Sequence, residues 1–195
     1  MSQIFQYFNM IRPLNVIISG ITVFIAAYLL NQDNYHLITI TSIIVMCFCS
    51  FANIINDLFD IDTDKVNNPK KYFLNFQLNS PYKTNLAKYI ILTILIMLLS
   101  IALTLAHIYF SEKAIYYLYL ICFLIIIYTP FLKGIPLLGN IVISFILASV
   151  FLITELVLLN KLVGILFYPS LLTFMLTLIR EIIKDIDDIM GDSNA

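Results

Sequence analysis

Six apolar runs organise the chain: Pro13–Leu30, Leu37–Ile55, Leu86–Phe110, Ala114–Leu132, Leu138–Leu159 and Leu162–Ile183. Each is about 18 residues or longer, the length that lets a helix cross the hydrocarbon core of a bilayer. All six read as helix, because lipid offers no partner for an unpaired backbone N–H or C=O. The linkers leave no room for a soluble domain. The pattern predicts one all-α membrane domain over residues 1–195, a polytopic transmembrane helical bundle of about six spans. Ahead of the first run, Ile4, Phe5, Phe8 and Ile11 share a helical face, which predicts a short helix lying in the interface.

Composition agrees. The chain is 61% hydrophobic and 12% charged, with a mean hydropathy of +0.96, whereas a soluble domain carries about 25% charged residues. The start, "MSQIFQYFNMIRP", has neither the basic segment nor the small-residue cleavage site of a signal peptide. Cys47, Cys49 and Cys122 lie inside apolar runs and read as small packing residues, not disulfides or ligands. The net charge of −1 gives no reason to expect a nucleic-acid partner. The distribution of charge carries more. With six spans, Arg12, Lys65, Lys70, Lys71, Lys83, Lys88, Lys133, Arg180 and Lys184 fall on one side, and Lys113 and Lys161 on the other. Nine against two places the first side in the cytoplasm.

Two acidic stretches share that side. In "NDLFDIDTD", Asn56, Asp60 and Asp64 run i, i+4, i+8, and Asp57 joins their helical face; Asp62 points away. In "REIIKDIDDIMGD", Glu181, Asp185, Asp188 and Asp192 form another stripe, flanked by Arg180 and Lys184. The first motif spans residues 56–64 and the second 181–192. Like charges at i, i+4 repel, and carboxylates at a helix C-terminus oppose the macrodipole. One such run is ordinarily a solvated helix end balanced by lysines. Two matched stripes on one side call for a shared cation. Oxygen donors without His or Cys suit a hard ion, Mg²⁺, which completes its shell with water and substrate phosphate. This predicts a metal-bridged diphosphate at the membrane surface.

These residues resemble the UbiA-type membrane prenyltransferases. "NDLFDIDTD" fits the family's N-D-x-x-D-x-x-x-D motif, and Asp185, Asp188 and Asp192 fit its D-x-x-D-x-x-x-D motif. The stretch around Asp185 is most similar to the digeranylgeranylglyceryl phosphate synthase branch. "IRPLN", "VNNP", "YTPFLKGIPLLGN" and "LIREIIKD" follow in the family's order. The resemblance implies transfer of a prenyl group from an isoprenyl diphosphate to a membrane-resident acceptor, with Mg²⁺ on the diphosphate. The acceptor implied is a glycerol-phosphate lipid, with a quinone precursor or other aromatic as the alternative. By motif position, Asn56, Asp57, Asp60 and Asp64 would hold metal from one helix, and Asp185, Asp188 and Asp192 from the other. Lys133, Arg180 and Lys184 would contact diphosphate, while Arg12 and Asn15 match positions near the site. Breaking an allylic C–O bond leaves a cation that needs dry, aromatic surroundings, and Tyr128 is the candidate ring.

Two departures accompany the resemblance. The branch follows Asn-x-Pro with Arg-Pro and a glycine; here Lys70 and Lys71 keep positive charge but lack arginine's fork. The family has about nine spans, so the resemblance implies that this chain corresponds to the first two-thirds of the fold, with C-terminal truncation, a fragment or an unusually short member as the expected explanations. An inactive fragment and a divalent-cation transporter are therefore rival readings. A CDP-alcohol phosphotransferase would need D-G-x-x-A-R, and Leu-Phe-Asp follows Asp57 instead. Elsewhere, Glu155 inside the fifth run is a functional candidate that its nearness to the span end lets snorkel. Pro169 is expected to kink the sixth run, and Gly139–Asn140 to let spans pack closely.

The topology is testable with single-cysteine reporters in a cysteine-free background. A membrane-impermeant maleimide added outside intact cells is expected to label a cysteine at Lys161 and leave one at Lys133 unlabelled.

Overall fold

A computed structural model describes residues 11–59, 81–135 and 137–193, with side-chain surroundings for 11–59, 89–135 and 137–186. The described residues are all-helical: α1 (Pro13–Leu29), α2 (Tyr35–Phe59), α3 (Pro81–Tyr109), α4 (Glu112–Ile127), α5 (Leu138–Leu159) and α6 (Phe167–Ser193). A π-helical turn, Tyr128–Leu132, extends α4. Four segments are long and apolar enough to cross a membrane: Tyr35–Phe59, Tyr89–Tyr109, Glu112–Leu132 and Leu138–Leu159. The expected interfacial helix and the acidic residues Asp60, Asp62 and Asp64 lie outside the described residues.

The chain divides into two compact units, Met1–Ile21 with Thr39–Tyr109, and Thr22–Ile38 with Phe110–Ala195. In the first, Gly20 of α1 lies against α2. A Cβ there would meet Met46 Sδ at 2.8 Å and Ser42 Oγ at 2.9 Å, and Ser42 Oγ donates to the Gly20 carbonyl (3.2 Å). Small residues let spanning helices approach closely. α3 buries Ile91, Leu95, Ala102 and Ala106, one stripe at helical spacing. In the second unit, α4 buries Ala114, Leu118, Ile121 and Ile125. A cluster of Ala26, Leu30, Phe151 and Leu166 forms its core.

Helix ends follow local chemistry. Asn34 Oδ1 accepts the N–H of Leu37 (3.1 Å) and caps α2. Past α1, Asn31 takes a left-handed conformation (φ 51°). Its N–H bonds to Tyr28 O, and Gln32 N–H bonds to Ala27 O, the paired bonds of a Schellman stop. Pro130 has no N–H to give the preceding turn. The ladder there widens, and Lys133 N–H reaches Tyr128 O at 2.8 Å, the i→i−5 bond of a π turn.

The sixth run departs from expectation at its start. Residues 162–166 form a loop and helix begins at Phe167. Pro169 therefore sits in the first turn, where a missing N–H removes no helical bond; it helps start α6 instead of kinking a longer helix. Glu155 explains the loop. It is fully buried, so it does not snorkel. Its Oε1 accepts the N–H groups of Val163 (3.0 Å), Gly164 (2.8 Å) and Ile165 (3.0 Å). Its Oε2 accepts that of Leu166 (3.3 Å). Gly164 supplies the left-handed turn (φ 91°) that an L side chain resists. The carboxylate thus lies at the positive end of the α6 macrodipole.

Replacing Glu155 by Ala takes this acceptor from four N–H groups. We expect a loss on the order of 3 kcal/mol, as for breaking a buried charged network, and a smaller loss of about 1 kcal/mol for Glu155→Gln, which keeps one carbonyl oxygen. Thermal unfolding in detergent micelles measures both.

Candidate functional site

In the first unit, α2 carries Asn56 and Asp57 to its last described turn. Asp57 is buried and half-buried Asn56 precedes it. Arg12 Nη2 donates to Asp57 Oδ1 at 2.8 Å. That guanidinium offsets the cost of burying the carboxylate. Arg12 itself has φ 55°, a left-handed conformation that costs a non-glycine residue about 1–2 kcal/mol. Bonds on both sides hold it there. Asn53 Nδ2 donates to the Ile11 carbonyl (2.9 Å). The Arg12 carbonyl accepts the N–H groups of Asn15 (2.9 Å) and Val16 (3.2 Å), so Arg12 also opens α1. Asn15 is exposed on the first turn of that helix.

In the second unit, Tyr128 is buried at the start of the π turn and Lys133 is exposed just after it. Gly139 fixes their backbone. A Cβ on Gly139 would stand 2.8 Å from Leu132 O and 3.2 Å from Lys133 Cα, inside van der Waals contact with main chain that cannot swing away. α6 continues through Asp188 and Asp192, so Glu181, Asp185, Asp188 and Asp192 hold the helical register expected of one stripe. Asp185 is exposed and accepts from Asn140 Nδ2 on α5 at 2.7 Å. Arg180 pairs with its neighbour Glu181, and Lys184 is exposed.

The structure therefore brings Arg12 to Asp57 and Arg180 to Glu181. It adds Asn140, which the sequence marked only for packing. Its position two residues into α5, beside a glycine that jams the helix start, becomes informative once α6 runs alongside. Asp60, Asp64, Lys70 and Lys71 lie outside the described residues, as do the side chains of Asp188 and Asp192. Among the described residues, no three His, Cys, Asp or Glu gather as for a metal ion. The motif residues are oxygen donors without His or Cys, a set that fits Mg²⁺.

The sequence profile of the UbiA prenyltransferase family matches residues 16–195. The chain belongs to that family. It is 32% identical over 191 residues to a digeranylgeranylglyceryl phosphate synthase of Thermococcus sibiricus, covering 95% of this chain and 63% of the relative. It is 31% identical over 186 residues to the synthase of the same name from Methanosphaera stadtmanae, covering 95% and 64%. A solved structure of digeranylgeranylglyceryl phosphate synthase, studied in membranes, matches with a TM-score of 0.73 at 26% identity. That match covers 100% of this chain and 66% of the other. This UbiA-family chain thus spans slightly under two-thirds of the relatives' length. Its apolar helices and its family make it an integral membrane protein.

Gly139→Ala is expected to push the π turn off α5, costing about 1–3 kcal/mol and lowering the melting temperature by roughly 2–10 °C. Gly134→Ala is the control, because a Cβ there meets nothing within 4 Å. Melting in detergent micelles compares them.

Proposed function

We propose that this chain transfers a prenyl group from an isoprenyl diphosphate to a glycerol-phosphate lipid acceptor within the membrane, with Mg²⁺ holding the diphosphate. The observation that carries the reading is Asp57. It is a buried first-motif carboxylate, paired with Arg12 at the end of an apolar spanning helix, in a chain of a prenyltransferase family. The name shared by the relatives supports a lipid acceptor over an aromatic one. The nine-to-two charge distribution supports motifs facing the cytoplasm across the cell membrane.

In this reading the allylic C–O bond breaks and its electron pair leaves with the diphosphate. The acceptor hydroxyl oxygen forms the new bond to carbon and releases its proton. Asn56, Asp57, Asp60 and Asp64 from the first motif, and Asp185, Asp188 and Asp192 from the second, would hold Mg²⁺. When bound, the ion offsets charge growing on the departing diphosphate. Lys133, Arg180 and Lys184 share that task as fixed cations, and Lys70 and Lys71 add positive charge. Buried Tyr128 offers a ring face to the allylic cation, worth about 0.5–2 kcal/mol.

Membranes carrying the chain, given labelled isoprenyl diphosphate and a glycerol-phosphate lipid, are expected to form a prenylated lipid with Mg²⁺ and none with EDTA. Asp60→Ala or Asp188→Ala should each lower the rate on the order of 100-fold or more. Mg²⁺ uptake without product would instead indicate a transporter. Product untouched by either substitution would remove the metal from the reading.

A further inference from the structure

Polar bonds join α5 and α6 at three places. At one end, Glu155 gathers the N–H groups of residues 163–166. In the middle, Ser170 Oγ of α6 donates to the Ala148 carbonyl of α5 at 3.0 Å. At the other end, Asn140 Nδ2 of α5 donates to Asp185 Oδ2 of α6 at 2.7 Å. Each partner on α6 moves forward as its partner on α5 moves back, as two antiparallel helices require.

We propose that Asn140 is a positioning residue for Asp185: its side-chain amide orients the second-motif carboxylate toward a divalent cation. This rests on the proposed function above, in which Asp185 holds metal. Three features carry it. The Asn140 backbone is closely held: Gly139 approaches the Leu132 carbonyl too closely to admit a Cβ, and Ser144 Oγ donates to Asn140 O at 2.6 Å. Asp185 lies on a helix whose first turns are anchored to α5 by Glu155 and Ser170. The donor is also neutral. An amide uses one acceptor site of about four on the carboxylate and leaves the others open to a cation. Among the described residues Asp185 makes no other hydrogen bond or ion pair. Partners one shell behind a metal ligand fix its orientation in this manner.

The test uses the chain in detergent micelles, with Mn²⁺ alone as the probe and bound ion read from loss of the free-ion electron paramagnetic resonance signal. Asn140→Ala and the similarly shaped Asn140→Leu are each expected to weaken Mn²⁺ binding roughly 10-fold, with helical circular dichroism unchanged. Two variants guard against one failing to fold. Equal Mn²⁺ affinity in the unsubstituted and folded substituted chains overturns the proposal, even if their melting temperatures fall, because Asn140 then only holds α5 to α6. Absence of Mn²⁺ binding in the unsubstituted chain overturns it too. Weakened binding in a chain that forms no prenylated lipid supports the positioning role and defeats the prenyl-transfer reading alone.

Discussion

A polar group carried into hydrocarbon must find its partner within the chain, and the described helices are arranged around that constraint. Glu155 is its strongest expression. One buried carboxylate collects four backbone N–H groups, and with them fixes where α6 begins. Elsewhere hydroxyls solve the same problem within their own helices. Ser50 donates to Met46 O (2.8 Å), Ser144 to Asn140 O (2.6 Å) and Thr154 to Val150 O (2.7 Å). These polar residues are buried, while Leu14, Ile17, Ile18, Ile21 and Phe24 of α1 face outward. Apolar side chains fill the interior and also cover the outside, because the surrounding solvent is hydrocarbon.

That solvent determines how much of the fold was legible in the sequence. Leu138–Leu159 is bounded identically as an apolar run and as α5, because its length and hydropathy fix the answer locally. The second run, Leu37–Ile55, falls inside α2, which extends it to Tyr35–Phe59 with Asn34 as its cap. The start of α6 was not legible. Leu162–Leu166 is as apolar as a spanning helix, and only the carboxylate folding back from α5 makes those residues a loop. A pattern of hydrophobicity records where lipid can be, but not which buried acid will claim a run of N–H groups. The π turn is intermediate. Pro130 announces a broken ladder, but the close approach of Gly139 to the Leu132 carbonyl joins residues that no local pattern links.

The candidate site divides along the same line. Spacing identified Asp57 and Asp185, because helical periodicity brings motif residues onto one face. Their partners lie 45 residues away in both cases, so no local pattern revealed them. Arg12 came from a family fragment, without a role for its backbone. Asn140 was noted beside a glycine, with packing as its role.

The two carboxylates are held by donors of different kind, and the difference follows from their surroundings. Asp57 is buried in the last described turn of α2, where desolvation opposes a negative charge. A neutral donor there would leave much of that cost standing, so a guanidinium is required, and a left-handed backbone at Arg12 is tolerated to deliver it. Asp185 is exposed on the flank of α6, eight residues before the helix ends. Water screens its charge, and the dipole penalty falls off beyond the last turn. What Asp185 lacks is a fixed direction, which one amide hydrogen bond supplies. Charge compensation at one motif and orientation at the other are separate physical needs, met by the residue type suited to each.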